Sequence, residues 1–434
     1  MVRWVLKRGE DRRLRSRHPW VFSNELTSSP KGLPPGDMVE VVDQKGHFLA
    51  RGYGNPHSLI AFRSVSWTES EKDILTVSFF VNRLMRAWQV RTMSGLEQSF
   101  RLCYGEADGL PGLIIDRYIT KFGVVFAVQL LTAGMQKNLF PIIEEVLGQL
   151  LDKAFASGSS VYDRNKMAIV IRNDVNIRKL EGMEVEEPKV LMNSLQVPLR
   201  PIEIAIDSAD HSAPVWMTVD LEGGQKTGFF LDQRGNIFQV LEYLKQSCLP
   251  AIKQKKVRIL DLCCYVGHWS TQLVRYLKTQ GVSVEVHLLD ISKEALAFAE
   301  ENVRKVCESG DQVHVHQSDV LNSLESFQDG GFDIVIADPP AFIKAKKDIP
   351  TGSHAYLKMN THAFRLTAHR GLVISCSCSG LMEIDNFRDI LRKAQVRQSL
   401  MMPSVVAGGH SPDHPIIMSF PEGIYLKMIG HLKV

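Results

Sequence analysis

The sequence predicts an α/β protein. A Rossmann-like, doubly wound domain occupies the carboxyl half, preceded by a small β-rich domain and a central α+β domain. Two observations carry this. From about residue 200, short apolar strands alternate with helical patterns. Before that, residues 1–68 read as short strands between Gly/Pro turns, and a strand, strand, helix, strand, strand order follows. We place the domains at 1–70, 71–190 and 191–434.

In the first domain, DMVEVVD (37–43), HFLARGYG (47–54) and LIAFRSVSW (59–67) are strands separated by LPPG and GNPHS. This spacing predicts a small barrel-like module. Residues 71–90 put Ile74, Val77, Val81, Leu84, Met85 and Trp88 on one helical face and open the second domain. There GEADGLPGLIIDRY (105–118) precedes an apolar strand, FGVVFAVQLL (122–131). A helix near 134–154 and strands VYDRN (161–165) and MAIVIRN (167–173) come next, and EGMEVEEPKV (181–190) is an acidic transition loop. The third domain has strands VRILDLC (257–263), VEVHLLD (284–290), QVHVHQSD (312–319), FDIVIADPP (332–340) and GLVISCS (371–377). Between the second and third, SKEALAFAEENVRKVC (292–307) is a helix. Ser292 is its N-cap, and Leu296, Ala299, Val303 and Val306 are its apolar stripe.

The 434 residues are 44% hydrophobic and 23% charged, which excludes a disordered tail, a collagen and a disulfide-stapled miniprotein. No apolar run is long enough to cross a membrane. Arg3, Lys7 and Arg8 interrupt the stretch a secretion signal would need, so the expected location is cytoplasmic, without membrane partners. Seven cysteines in a reducing compartment are thiols. The net charge of +3 is unevenly spread. Residues 1–70 hold 11 basic against 7 acidic side chains, and the remaining 364 hold 40 against 41. Lys7, Arg8, Arg12, Arg13, Arg15 and Arg17 crowd together, interleaved with Trp4, His18, Trp20 and Phe22. A charge run by itself is usually a solvated loop. Within a small β module it suits phosphate contact and base stacking on RNA.

Ligands of doubly wound sheets bind beyond the carboxyl ends of the strands. Those ends carry Asp261, Asp290, Asp319, Asp338, Cys376 and Cys378. The first turn, Asp261-Leu262-Cys263-Cys264-Tyr265-Val266-Gly267-His268, has one glycine, whereas a dinucleotide fingerprint has three. S-adenosyl-L-methionine has no phosphate and carries a sulfonium and an ammonium, so acids favour it. Asp261 would face its charge, Gly267 would allow close backbone approach, Asp290 would accept the ribose hydroxyls and Asp319 the adenine amine. Each aspartate alone is more often a cap or loop residue. Three at successive strand ends point to a methyltransferase.

Asp338-Pro339-Pro340-Ala341-Phe342 ends the fourth strand, and Ser375-Cys376-Ser377-Cys378-Ser379-Gly380 ends the fifth. An acid and a thiol on neighbouring strands suit methylation of a pyrimidine at carbon 5. The thiolate adds to carbon 6 and the acid stabilises the developing charge. The bland alternative for each cysteine is a buried small hydrophobe. No cysteine or histidine spacing indicates a metal, since His314 and His316 fall inside a strand.

The chain resembles, over nearly its whole length, the PUA-domain class I methyltransferases of the RlmI type. The motifs are RHPWVFSNEL (17–26), GEADGLPGLIIDRY (105–118), GQKTGFFLDQRGN (224–236), DLCCYVGHWS (261–270), DPPAF (338–342), SCSGLM (377–382) and DHPIIMSFPEGIYLK (413–427). The resemblance implies a PUA RNA-binding domain, S-adenosyl-L-methionine as donor and 5-methylcytosine formed in large-subunit ribosomal RNA. It implies Cys378 as nucleophile, with Cys376 as second choice, and Asp338 as the acid. It brings Tyr265, Gln233 and Arg234 to the cofactor, while the basic cluster itself offers Lys7, Arg12, Arg13, Arg15 and Arg17 to RNA. His268 stands where the family usually has glycine, and Ala341 where lysine is frequent. Two rival readings remain. One is methylation of another nucleotide or a base amine, and the other is a non-catalytic RNA-binding factor. A homodimer is compatible with the sequence.

Overall fold

The computed structural model describes residues 1–155, 163–209, 213–247, 249–322 and 324–434. The chain divides into two compact units. One comprises 1–205, 220–231 and 412–423, and the other 206–219, 232–411 and 424–434.

The first unit holds two five-stranded sheets. The amino-terminal sheet contains β1 (Val2–Val5), β2 (Trp20–Phe22), β3 (Met38–Val42), β4 (Phe48–Gly54) and β5 (Ile60–Ser66), in the order β1-β3-β4-β5-β2. A bridge between Leu6 and Leu26 joins the ends of its two edge strands. Trp4, Leu14, Val21, Val39, Val41 and Phe62 fill its core. The three expected strands are present as β3, β4 and β5. The second sheet contains β6 (Phe100–Tyr104), β7 (Leu113–Ile119), β8 (Val124–Leu130), β9 (Met167–Ile171) and β10 (Lys189–Asn193), in the order β10-β9-β8-β7-β6. Every residue of β8 is buried, in keeping with a sequence that is apolar at every position but Gln129. Helices Val77–Met93 and Ile143–Phe155 pack on this sheet through Phe80, Val81, Leu84, Val146, Leu147 and Leu150.

Three local expectations change here. The helix over 71–90 begins at Val77, because Leu75 is left-handed (φ 61°) and the Thr76 hydroxyl accepts from Phe79 N at 3.3 Å. Arg51 Nη1 meanwhile donates to the carbonyls of Glu69 and Glu71, holding that stretch as a loop. The helix near 134–154 is two, Ala133–Asn138 and Ile143–Phe155, separated at Pro141, which lacks an N–H. In the strand expected at 161–165, Val161 and Tyr162 lie outside the described residues, and Asp163–Asn165 form no strand. The end of the acidic stretch, from Lys189, pairs with β9 as β10.

Strands β11 (Ile202–Ile206) and β12 (Val215–Val219) follow. The second unit then builds a seven-stranded sheet. Its strands are β13 (Lys256–Leu262), β14 (Ser283–Asp290), β15 (Gln312–Gln317), β16 (Phe332–Ala337), β17 (Thr367–Ser377), β18 (Ser404–Gly408) and β19 (Lys427–Leu432). The order is β15-β14-β13-β16-β17-β19-β18, parallel from β15 to β17, with β19 inserted antiparallel. The five expected parallel strands are all present. Alternate residues of β13 and β17 enter two cores: Val257, Ile259, Ile374 and Cys376 one, and Leu260, Leu262 and Val373 the other. The helix expected after β14 spans Lys293–Arg304, and the Ser292 hydroxyl caps Ala295 N at 3.2 Å. Val306 falls beyond its end. Among the described residues no helix is long and apolar enough to cross a membrane.

Candidate active site at the strand ends

Chain order reverses at β13, which has β14 on one side and β16 on the other. This is the switch point at which doubly wound sheets take ligands. The turn after β13 is tightly wound, with Cys263 (φ 62°), Tyr265 (φ 49°) and Gly267 (φ 78°) all left-handed. Two of these are not glycine, and such backbone clusters at ligand sites. A Cβ on Gly267 would lie 3.2 Å from Ala299 Cα, so this glycine also lets helix Lys293–Arg304 approach.

Asp261 is buried. Its Oδ2 accepts from the Ser270 hydroxyl at 2.6 Å, and its Oδ1 has no donor among the described residues. Burial, against the Ser270 bond and aided by the charges of Asp338 and Asp290, pushes its carboxyl up to about 7. Asp290 accepts from Tyr265 N and Ser292 N, each at 2.9 Å, which ties the turn to the end of β14. Asp319 lies two residues beyond β15 and accepts from Leu321 N at 2.9 Å and Asn322 Nδ2 at 2.7 Å. The half-buried Cys263 thiol lies among all four acids. Burial first, then Asp290, Asp338, Asp261 and Asp319, push it well above the usual thiol range. The carboxylates thus form one anionic edge.

Asp338 Oδ1 accepts from Gln233 Nε2 at 2.7 Å, and its Oδ2 accepts from Trp269 Nε1 at 3.1 Å. Gln233 in turn accepts from Asn236 Nδ2 at 2.6 Å. The β16–β17 register pairs Ala337 with Ser375, so Asp338 and the thiols emerge side by side. Cys376 is still within β17, 0% exposed and inside the apolar core, and burial pushes its thiol well up. Cys378 lies past the strand end, partly exposed, with its Sγ–H 3.6 Å from the Pro339 carbonyl. Ser379 pins this turn: its Oγ accepts from Ile343 N at 3.1 Å and bonds the Tyr356 hydroxyl at 2.9 Å. Arg234 is buried in an ion pair with Asp207 at 2.7 Å.

Three residues with no role in the sequence reading meet this edge. Trp269 holds Asp338. Ile291, directly after Asp290, is 70% exposed, an apolar platform beside an acid. Lys427 reaches the Cys378 turn from β19. The order acid–apolar in Asp290-Ile291 and the family motif ending at Lys427 were the available signals.

The basic cluster is less uniform than its sequence. Arg15 pairs with Asp11 (2.6 Å) and Asp43 (2.8 Å), and Arg13 with Glu25 (3.5 Å) and Glu422 (3.7 Å). Lys7 donates to the Asn24 carbonyl at 2.8 Å. Arg8, Arg12 and Arg17 are exposed and make no ion pair among the described residues. The interleaved aromatics are structural. Trp4 and His18 are buried, Trp20 Nε1 donates to Glu106 Oε1 at 2.8 Å, and Phe22 lies under Arg13.

A second titratable cluster, Glu285, His287 and His314, sits on the β14–β15 face with donor atoms within 4.8 Å. Glu285 Oε1 already accepts from Arg258 Nε at 3.1 Å and meets His287 Nε2 at 3.0 Å, so its charge is balanced without an added cation.

Residues 5–67 match a PUA-like domain and residues 253–412 a methyltransferase domain. A candidate SAM-dependent methyltransferase from Streptococcus mutans superposes with a TM-score of 0.71 at 17% identity, covering 100% of both chains. A second candidate methyltransferase, solved with SAH, gives 0.72 at 17% identity, again over 100% of both chains. Fold and site therefore define a class I, S-adenosyl-L-methionine-dependent methyltransferase with an amino-terminal PUA-like domain. The donorless Asp261 Oδ1 and the four-acid edge fit a cofactor that carries an ammonium and a sulfonium. At the level of sequence, the "Ribosomal RNA large subunit methyltransferase I" of Erwinia tasmaniensis is 33% identical over 98% of both chains. That of Escherichia coli (strain K12) is 32% identical over 98% of both. The chain belongs to this ribosomal RNA large subunit methyltransferase I family.

Proposed function

We propose that the protein methylates carbon 5 of a cytosine in large-subunit ribosomal RNA, with Cys378 as nucleophile and Asp338 as the acid. The observation that carries this is the pairing of a partly exposed thiol beyond β17 with a carboxylate held from both sides at the end of β16. Cys376, inside the core, cannot reach a base without unpacking β17.

The Cys378 thiolate adds to carbon 6 of the flipped base, forming an S–C bond and making carbon 5 nucleophilic. Asp338, oriented by Gln233 and Trp269, faces ring nitrogen 3 and the exocyclic amine, where charge develops. S-adenosyl-L-methionine supplies the electrophilic methyl group that carbon 5 accepts. A base then removes the carbon-5 proton, and the electron pair of that bond expels the Cys378 thiolate and restores the ring. Asp261, Tyr265, Gly267, Asp290 and Asp319 line the cofactor in this reading, with Gln233 linking that pocket to Asp338. Arg234 contributes through its ion pair with Asp207. Of the basic cluster, Arg8, Arg12 and Arg17 face RNA in this reading, whereas Lys7, Arg13 and Arg15 hold the module through their carbonyl and carboxylate partners.

The test is a covalent complex with RNA containing 5-fluorocytosine, in which the carbon-5 substituent cannot leave. Wild type and Cys376→Ala should trap it and Cys378→Ala should not. Bisulfite sequencing should show one protected cytosine lost when the gene is deleted. Undiminished methylation by Cys378→Ala would overturn the assignment of the nucleophile.

A further inference from the structure

Lys427 begins β19 and is the register partner of Ser377 on β17, one residue before Cys378. It is 5% exposed. Its Nζ donates to the carbonyls of Ser379 at 2.7 Å and Tyr425 at 2.8 Å. Two carbonyls satisfy two of its three protons but not its charge. Among the described residues no carboxylate faces it, and Cys378 is the ionisable group that acts on it. A buried ammonium without a counter-charge is strongly unfavourable.

We propose that Lys427 is the positioning cation that keeps Cys378 as a thiolate at neutral pH. This rests on the reading of Cys378 as nucleophile. A thiolate at Cys378 gives the buried ammonium its missing anion, and the ammonium gives the thiolate its counter-ion. The proton of Cys378 leaves to solvent, so the pair carries no net charge into the core. The contact to the Ser379 carbonyl also fixes the turn that aims the sulfur.

The other groups around Cys378 do not supply this cation. Tyr356, from helix Ile349–Leu366, is pushed up to about 12, chiefly by burial, and stays protonated. Asp338 is a carboxyl group held by Gln233 and Trp269 and supplies no positive charge. Cys376 is a neutral core thiol. Burial lowers Lys427 to about 8 and Cys378 opposes that fall.

The test is the pH dependence of iodoacetamide alkylation at Cys378, resolved by peptide mass spectrometry on the full-length chain. In Lys427→Met the alkylation midpoint should rise by about one to three pH units, as loss of an adjacent opposite charge predicts. Lys427→Arg should retain most of the wild-type profile. An unchanged midpoint in a folded Lys427→Met variant would overturn the inference. Reciprocity supplies a second readout. In Cys378→Ser, Lys427 loses its anionic neighbour, so its acetylation by acetic anhydride near neutral pH should speed up; an unchanged rate would count against the pair. Neither assay needs RNA or cofactor. A methylating Cys378→Ala enzyme would therefore refute the nucleophile while leaving the ion pair intact. A normal 5-fluorocytosine adduct with an unmoved midpoint would do the reverse.

Discussion

Asp261 shows how a site can work against the fold that holds it. Its carboxyl binds a proton up to about pH 7, whereas in the unfolded chain it releases it near 3.8. The native state therefore holds the extra proton between those values. Its contribution to stability is full below about pH 4 and is lost as pH rises through 7. Asp261→Asn should flatten this part of the stability profile and raise the denaturant midpoint at pH 8, checked by urea unfolding across pH. The same change should weaken S-adenosyl-L-methionine binding, measured by calorimetry. In wild type that affinity should increase from pH 6 to 8 as the carboxylate forms. At this scale the candidate groups were legible in the sequence because acids and thiols at strand ends are visible in one dimension. Without the motif resemblance, which ranks Cys378 first and Cys376 second, the strand ends alone do not rank the two thiols. The structure does distinguish their surroundings: β17 ends at Ser377, which leaves Cys376 in the core and Cys378 partly exposed. Sequence reading did not find Trp269 or Lys427, whose roles follow from where neighbouring strands and helices bring them.

Among elements, the alternating strands and the Ser292-capped helix were legible because local pattern and tertiary burial agree. The misjudged helix start at 71 has a physical cause. Ile74 keeps the apolar spacing and is buried, but Leu75 is left-handed and Arg51 holds the preceding carbonyls. The helix spacing continues through Pro141, although the helix itself cannot. The turn after β13 gives a direct test of element packing. Gly267→Ala places a Cβ 3.2 Å from Ala299 Cα at a φ of 78°. It should cost about 1–3 kcal/mol, from left-handed strain plus separation of two helices, read as a lower urea midpoint. Cofactor affinity should fall with it, because Tyr265 N, which anchors Asp290, belongs to the same turn.

Across the whole molecule, the amino-terminal charge excess was legible from counting, but its distribution over partners was not. Arg13 and Arg15 are committed to carboxylates, whereas Arg8, Arg12 and Arg17 face solvent. Reversing the charge of Arg8, Arg12 and Arg17 should weaken RNA binding and reduce its salt slope by about 0.7 for each phosphate no longer neutralised. Reversing Arg15 should mainly disturb the module itself, seen as a lower melting temperature. Equal salt slopes in the two sets would contradict that division. The domain plan read from sequence follows the chain, but the compact units do not. Residues 220–231 and 412–423 cluster with the amino-terminal unit, and the chain re-enters the second unit at Ile424. Its next strand, β19, fits between β17 and β18 rather than at an edge. During synthesis β17 and β18 are therefore made before the strand that separates them. Until residue 432 is available, β17 presents an unpaired apolar edge, open to mispairing or to a chaperone. The cation that we place beside Cys378 arrives on that same strand, so the nascent enzyme carries its thiol before it can hold it ionised.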